Sequence, residues 1–128
     1  MQGPIRTVRC SSDAGLVREQ VKLAGDGAVL VIDAGGRTDQ AFLGERLADI
    51  AMRNGWSGVL VHGAVRDTAQ LSAMDLCVMA LSAVPRRASL ANAGEVGVAL
   101  QFGGVTFSPG SFVVTDRDGV VVLPSEGL

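Results

Sequence analysis

The chain has 128 residues, 48% hydrophobic and 19% charged, with a formal net charge of −2; this excludes a disordered segment and lacks the basic footprint of a nucleic-acid binder. Its aromatic residues are Phe42, Phe102, Phe107, Phe112 and Trp56, too few for a base-stacking surface, although Arg86 and Arg87 could form a small basic patch. The length suits one domain over residues 1–128, burying roughly two-thirds of its unfolded surface around an aliphatic core.

From the amino terminus, Ile5 to Cys10 alternates as IRTVRC and predicts an edge strand with mixed faces. Ser12 or Asp13 can cap a short helix on which Leu16, Val17, Gln20, Val21 and Leu23 fall near helical spacing before Gly25 stops it. AVLVIDA, Ala28 to Ala34, is almost uniformly apolar, as expected of a strand covered on both faces. GERLADIAMRN, Gly44 to Asn54, puts Leu47, Ile50 and Ala51 on one stripe and ends at Gly55, a favoured residue just past a helix. GVLVHGA, Gly58 to Ala64, predicts a second covered strand and hence a parallel crossover unit. Thr68 to Met74 predicts a short helix and Leu76 to Val84 another strand. From Arg86 the character is mostly β: VGVALQFGG, VTFSPG, SFVVTDRDG and VVVLP, with Asp116 to Gly119 as a hairpin turn. The expected fold class is α/β, with a mixed sheet core and a β-rich second half.

Cys10 and Cys77 have no CxxC spacing and read as two reduced thiols. With no signal-like start and no apolar run of ~20 residues, the expected location is the cytoplasm, without a membrane segment.

The adjacent Arg66 and Asp67 fall at the carboxyl end of the second covered strand, where ligands collect in open α/β sheets. The pair can simply begin the next helix, with Asp67 near its N-cap. Alternatively, the guanidinium can grip a carboxylate or steady an enolate oxygen while the neighbouring carboxylate holds Mg²⁺ or Mn²⁺. In LGERLAD, Gly44 permits close backbone approach, and the amides of Arg46 and Leu47 are among the free donors of a helix start. Glu45 there can serve chemistry or only the helix dipole. A parallel crossover can bring Glu45 and Arg66 to one sheet edge. His62, the sole histidine, excludes a His-rich zinc site within the chain and reads more naturally as packed core. Asp33 can join the same edge or cap a loop. The GG pairs at 35 and 103 fit neither GxGxxG nor a P-loop, and no Ser-His-Asp or Cys-His arrangement stands out.

VLVIDAGG, AFLGERLA, NGWSGVLVHGAVRD and GVTFSPGSFVVTDRDGVVVLP together resemble the family of the regulator of ribonuclease activity A, which includes the 4-hydroxy-4-methyl-2-oxoglutarate aldolases. The likeness runs from Pro4 to Pro124, and its most specific part is the spacing from Glu45 to Arg66-Asp67. It implies a swivelling β/β/α fold, a homotrimer with sites at subunit boundaries, and metal-dependent cleavage of that keto acid to two pyruvates or decarboxylation of oxaloacetate. It further implies that Asp67 holds the metal, that Arg66 contacts the pyruvyl moiety, and that Gly44, Glu45, Arg46 and Leu47 form the substrate loop, with Arg66 and Glu45 catalytic. The founding regulator implies a second role, binding of a ribonuclease E scaffold or an RNA helicase. Three departures are expected from the family pattern: Glu45 in place of Asp, no N-terminal helical segment, and no C-terminal extension. A menaquinone methyltransferase role gains no support, because no glycine-rich nucleotide loop follows the first strand.

Overall fold

The computed structural model describes residues 1–124, so the last four residues of the expected domain lie outside the described ones. Nine strands and three helices follow in the order β1 (Gln2–Cys10), α1 (Gly15–Val21), β2 (Val29–Asp33), α2 (Glu45–Arg53), β3 (Gly58–Val65), α3 (Thr68–Ser72), β4 (Cys77–Ala83), β5 (Gly94–Val96), β6 (Leu100–Phe102), β7 (Val105–Phe107), β8 (Phe112–Asp116) and β9 (Gly119–Leu123). The main sheet runs β4-β3-β2-β1-β8-β9, with β5 also on β1 and a separate β6-β7 hairpin. β1 to β4 are mutually parallel, while β8 and β5 meet β1 antiparallel. The fold is therefore a mixed α/β sheet with few helices, as expected.

The apolar runs of β2 and β3 follow from what covers them. Val8, Leu30, Ile32, Val59 and Val61 face α1 and α2 in one core cluster; Ile5, Val29, Val31 and Leu60 face Leu100 and Phe107 of the β6-β7 hairpin in the other. Both faces exclude water, so polar alternation disappears from the sequence. β1 overturns its prediction as an edge strand. It lies between β2 and β8 and pairs with β5 as well, because Ile5 and Val8 feed opposite clusters. Its polar residues are satisfied locally: buried Thr7 donates through Oγ1 to Val98 O at 2.6 Å, and Arg6 donates to Ala24 O while stacking 4.5 Å over Trp56.

The Asn-Gly-Trp run joins the helical layer. Asn54 Nδ2 donates to Val21 O at 2.9 Å, Trp56 Nε1 donates to Leu23 O at 3.1 Å, and Gly55 takes φ +83°, where a side chain would be strained. α1 starts differently from expectation. Its N-cap is Ala14, and Asp13 instead accepts from Gly15 N, Ser89 Oγ, Ala91 N and Ala93 N. That carboxylate fastens residues 89–93 to the start of α1. Asp116 to Gly119 forms the expected β8-β9 turn, with Asp116 Oδ1 accepting from Asp118 N and Gly119 N. The VGVALQFGG run is divided between β5 and β6, which join different strands; Gly103 and Gly104, at φ +59° and +75°, turn β6 into β7. Among the described residues no helix is long and apolar enough to cross a membrane.

Candidate functional site

The crossover from β2 through α2 to β3 returns the chain to the edge where α2 begins. Residues 41–43 lie beside the end of β3: Phe42 N donates to Ala64 O at 2.9 Å and Arg66 N to Leu43 O at 2.9 Å. This ladder carries Arg66 and Asp67 to the amino end of α2.

The decisive contact is backbone to carboxylate. Glu45 N, the first amide of α2, donates to Asp67 Oδ2 at 3.0 Å. The N-cap of α2, Gly44, has no side chain to satisfy this amide, so an acid from across the site does so. Gly44 is extended (φ −137°, ψ −171°), so backbone freedom is not what requires glycine here. Space is: a Cβ would stand 2.8 Å from Arg66 Nε and 2.9 Å from Asp67 Oδ2.

Asp67 occupies the left-handed region at φ +60°, a sparsely populated conformation for a side-chain-bearing residue. It is the N-cap of α3, yet its side chain makes no capping bond to that helix. Asp67 thus begins the next helix, as the first reading of the pair expects, while its carboxylate reaches the helix across the site. Arg66 Nε lies 3.8 Å from Asp67 Oδ2, and both side chains are about one-third exposed, at 31% and 32%.

Arg66 stands between two hollows. One, about 310 Å³, is lined by Gly44, Arg46, Leu47 and Arg66 together with residues of α1 and the 87–90 segment. The other is open and lined by Arg66, Asp67 and the start of α3 against Ala83 to Pro85. Of the six expected site residues, the structure brings Gly44, the Glu45 amide, Arg66 and Asp67 into direct contact range, and places Arg46 and Leu47 on the adjoining cavity wall. The exposed Glu45 side chain lines neither hollow.

Asp33 and His62 sit apart from this contact. His62 Nδ1 and Asp33 Oδ1 are 3.1 Å apart, Gly35 N donates to the same Asp33 oxygen at 2.8 Å, and Phe102 stacks on the imidazole at 4.3 Å. Asp33 therefore caps the Gly35 loop, and His62 is largely packed. Reasoning from sequence missed Arg18 and Lys22, which line the first cavity. With Ala14 they repeat every four residues, a signal of one helix face that attention to the apolar stripe passed over.

The donor set admits only some ions. Among the described residues no three His, Cys, Asp or Glu side chains gather to hold a metal, which does not fit a zinc site built from protein ligands. A single oxygen-donor carboxylate fits Mg²⁺ or Mn²⁺, ions that keep several waters and accept ligands from substrate.

The sequence profile of the RraA-like family (Aldolase/RraA) matches residues 1–122. The chain belongs to the RraA-like family. Among its relatives, a Pseudomonas fluorescens (strain Pf-5) protein named "Putative 4-hydroxy-4-methyl-2-oxoglutarate aldolase" is 45% identical over 123 residues, 96% of this chain and 76% of that protein. Two solved structures of RraA-like fold superpose closely. A Geobacillus kaustophilus protein described as an S-adenosylmethionine:2-dimethylmenaquinone methyltransferase has a TM-score of 0.96 and 43% identity, covering 98% of this chain and 78% of that one. The RNA-processing inhibitor RraA from "Thermus thermophilis" has a TM-score of 0.95 and 44% identity, covering 97% and 76%.

Proposed function

We propose that this RraA-like chain is a divalent-metal-dependent carbon–carbon lyase for small α-keto acids, acting as a 4-hydroxy-4-methyl-2-oxoglutarate aldolase, an oxaloacetate decarboxylase, or both. The observation that carries the reading is the meeting of Glu45 N with Asp67 Oδ2 at 3.0 Å beside Arg66, around a glycine that leaves no room for a Cβ. The aldolase name of the 45% identical relative agrees with it.

In this reading the substrate carboxylate is held by the remaining free amides at the start of α2, Arg46 and Leu47, and by the Arg66 guanidinium. When bound, Mg²⁺ or Mn²⁺ would be held by Asp67 and would supply Lewis-acid polarisation of the keto group. Cleavage breaks the bond between C3 and C4. The electron pair stays on C3 as an enolate, and either CO₂ or a second pyruvate leaves; for the aldol substrate, the C4 hydroxyl gives up its proton. Arg66 would stabilise the negative enolate oxygen, and solvent water would return the proton to C3, because the Glu45 side chain lines neither hollow. Asp67, tied to the helix start, fixes Arg66 and the amides in one frame. The test is pyruvate release from oxaloacetate and from the hydroxymethyl keto acid, above the metal-only background. Loss of that release with EDTA and in Arg66→Ala supports the reading; equal rates in wild type and Arg66→Ala refute it.

A second reading comes from the likeness to the RNA-processing inhibitor of Thermus. The chain would dock on a ribonuclease E scaffold or RNA helicase segment and restrain RNA decay, its acidic balance suiting a basic partner. A pull-down with such segments at low salt tests it, and no association would count against it. A homotrimer belongs to both readings; the open edge of β4, with Leu81 57% exposed, offers a surface for it. Light scattering of the purified chain measures that stoichiometry.

A further inference from the structure

Residues 84–93 cross the candidate site as a strap that belongs to no helix or strand. Val84 N donates to Val65 O at 2.9 Å where β3 ends. Further on, Ala41 N donates to Arg86 O at 2.7 Å, Ala88 N to Ala41 O at 3.0 Å, and Ala14 N to Ser89 O at 2.8 Å. One irregular stretch therefore joins β3, the loop entering α2 and the start of α1. It also walls both hollows beside Arg66: Arg87 and Leu90 line the first, Val84 and Pro85 the second.

Apolar burial does not account for the order of this strap. Of residues 86–93 only Ala88 is buried and Leu90 half-buried, while the other six are exposed. Ordering each residue costs conformational entropy, and so little apolar surface leaves water that the hydrophobic effect offsets only a small part. Arg18 adds one bond, from Nη2 to Asn92 Oδ1 at 3.3 Å. The main polar anchor is Asp13, 2% exposed and the one buried carboxylate among the described residues. It accepts from Ser89 Oγ at 2.7 Å, Ala91 N and Ala93 N, all on the strap, and from Gly15 N at 2.7 Å. A buried carboxylate short of donors is strongly destabilised. Three of its four donors arrive only with the strap, so the acid penalises every arrangement in which the strap lifts away.

We propose that Asp13 is a positioning residue for the candidate site: by seating the strap it sets Arg87 and Leu90 as a wall of the first hollow and so governs how tightly substrate is held there. Its effect on turnover rests on the lyase reading given above; its effect on the strap does not. Asp13 lines neither hollow and lies outside the motif around Arg66 and Asp67. The reacting groups stay in place without it, because Arg66 N keeps its bond to Leu43 O and Asp67 its bond from Glu45 N. Substrate then binds only the fraction of molecules whose strap is seated, so apparent affinity falls by that fraction while the bound complex turns over as before.

Two measurements on the whole chain test this: residue-resolved amide hydrogen exchange, and kcat and KM for pyruvate release from oxaloacetate in Mg²⁺ buffer. In Asp13→Ala, KM is expected to rise at least about tenfold with kcat within about twofold of wild type. The Ala88 amide, which bonds Ala41 O and not Asp13, is expected to lose at least about tenfold of its protection, while the Arg66 amide keeps its own. Asp13→Asn, which retains one accepting oxygen, is expected to shift both readouts less and serves should the alanine variant not fold. Val113→Ala opens a cavity in the opposite core cluster and is expected to leave KM unchanged, so general instability is separated from positioning. An unchanged KM, a loss confined to kcat, or wild-type protection at Ala88 in the folded Asp13 variants overturns the proposal. So does an equal rise of KM in Val113→Ala. A wild-type chain that releases no pyruvate sinks the lyase reading alone, and Ala88 protection then decides whether Asp13 seats the strap.

Discussion

Gly44→Ala is the sharpest single perturbation of this site, because it adds one methyl group at the point where three functional groups converge. The backbone there is extended, so alanine adopts it freely and the whole penalty is steric. The new Cβ would stand 2.8 Å from Arg66 Nε, 2.9 Å from Arg66 Cγ and 2.9 Å from Asp67 Oδ2, each closer than van der Waals contact allows. All three neighbours belong to side chains, so they can swing away while the main chain stays. Overpacking of this kind costs about 1–3 kcal/mol. Displacing Asp67 also weakens its bond to Glu45 N, a charge-assisted contact worth about 1.5–3 kcal/mol. Because a side chain that swings out regains water, the lower ends apply, and a loss of about 2.5 kcal/mol is expected, lowering Tm by roughly 7–12 °C. Catalysis should suffer more than folding, since a misplacement of about 1 Å can cost on the order of 100-fold. The assay is kcat/KM for pyruvate release from oxaloacetate beside a calorimetric melt. A Gly44→Ala protein with wild-type kcat/KM would refute the argument, as would one whose loss of activity is fully explained by unfolding.

Arg66→Ala should lower kcat on oxaloacetate by about 100- to 1,000-fold, the usual cost of removing one donor to a developing oxyanion, with little change in melting temperature because the side chain is part-exposed. Asp13→Ala should destabilise the fold by about 1.5–3 kcal/mol in urea titration, since it removes the buried acceptor that Gly15 N, Ser89 Oγ, Ala91 N and Ala93 N share. Burial opposes the charge on Asp13, but bonds from Ala91, Ser89, Gly15 and Ala93 outweigh it and hold its pKa below the ordinary value. Its stabilisation is therefore complete above the unfolded value of about 3.9 and disappears as pH falls through the lower folded value; Asp13→Asn should flatten that acid limb of the stability curve. Burial, followed by the nearby charges of Asp13 and Asp33, pushes the Cys10 thiol up to about 12, whereas Cys77 is exposed. Thiol labelling near pH 8 should modify Cys77 first and reach Cys10 only after denaturation; rapid labelling of Cys10 in the folded chain would contradict this.

The covered strands, the long helix and the C-terminal hairpin are legible because each satisfies a local rule. AVLVIDA and GVLVHGA show the loss of polar alternation that two-sided burial produces; GERLADIAMRN carries one apolar stripe ending at Gly55, and DRDG supplies an Asp that accepts from its own turn amides. The Arg66-Asp67 pair is legible as a strand-end feature for the same reason. β1 was not, because IRTVRC mixes apolar and polar residues on each face, and only pairing with β2, β5 and β8 makes it central.

By itself, then, the sequence determined the layered α/β class and the crossover that returns α2 and β3 to one edge, since both depend on short-range periodicity, whereas the grouping of Gly44 with Arg66 and Asp67 came from the family resemblance. Tertiary structure alone decided that Asp67 accepts from the first amide of α2, that Glu45 contributes its backbone while its side chain faces solvent, and that Arg18, Lys22 and Arg87 share a cavity with Arg66. The physical reason is that hydrogen bonds and charge clusters act over a few ångströms of space, and residues 18, 44, 66 and 87 reach that distance only after the sheet has ordered the elements between them.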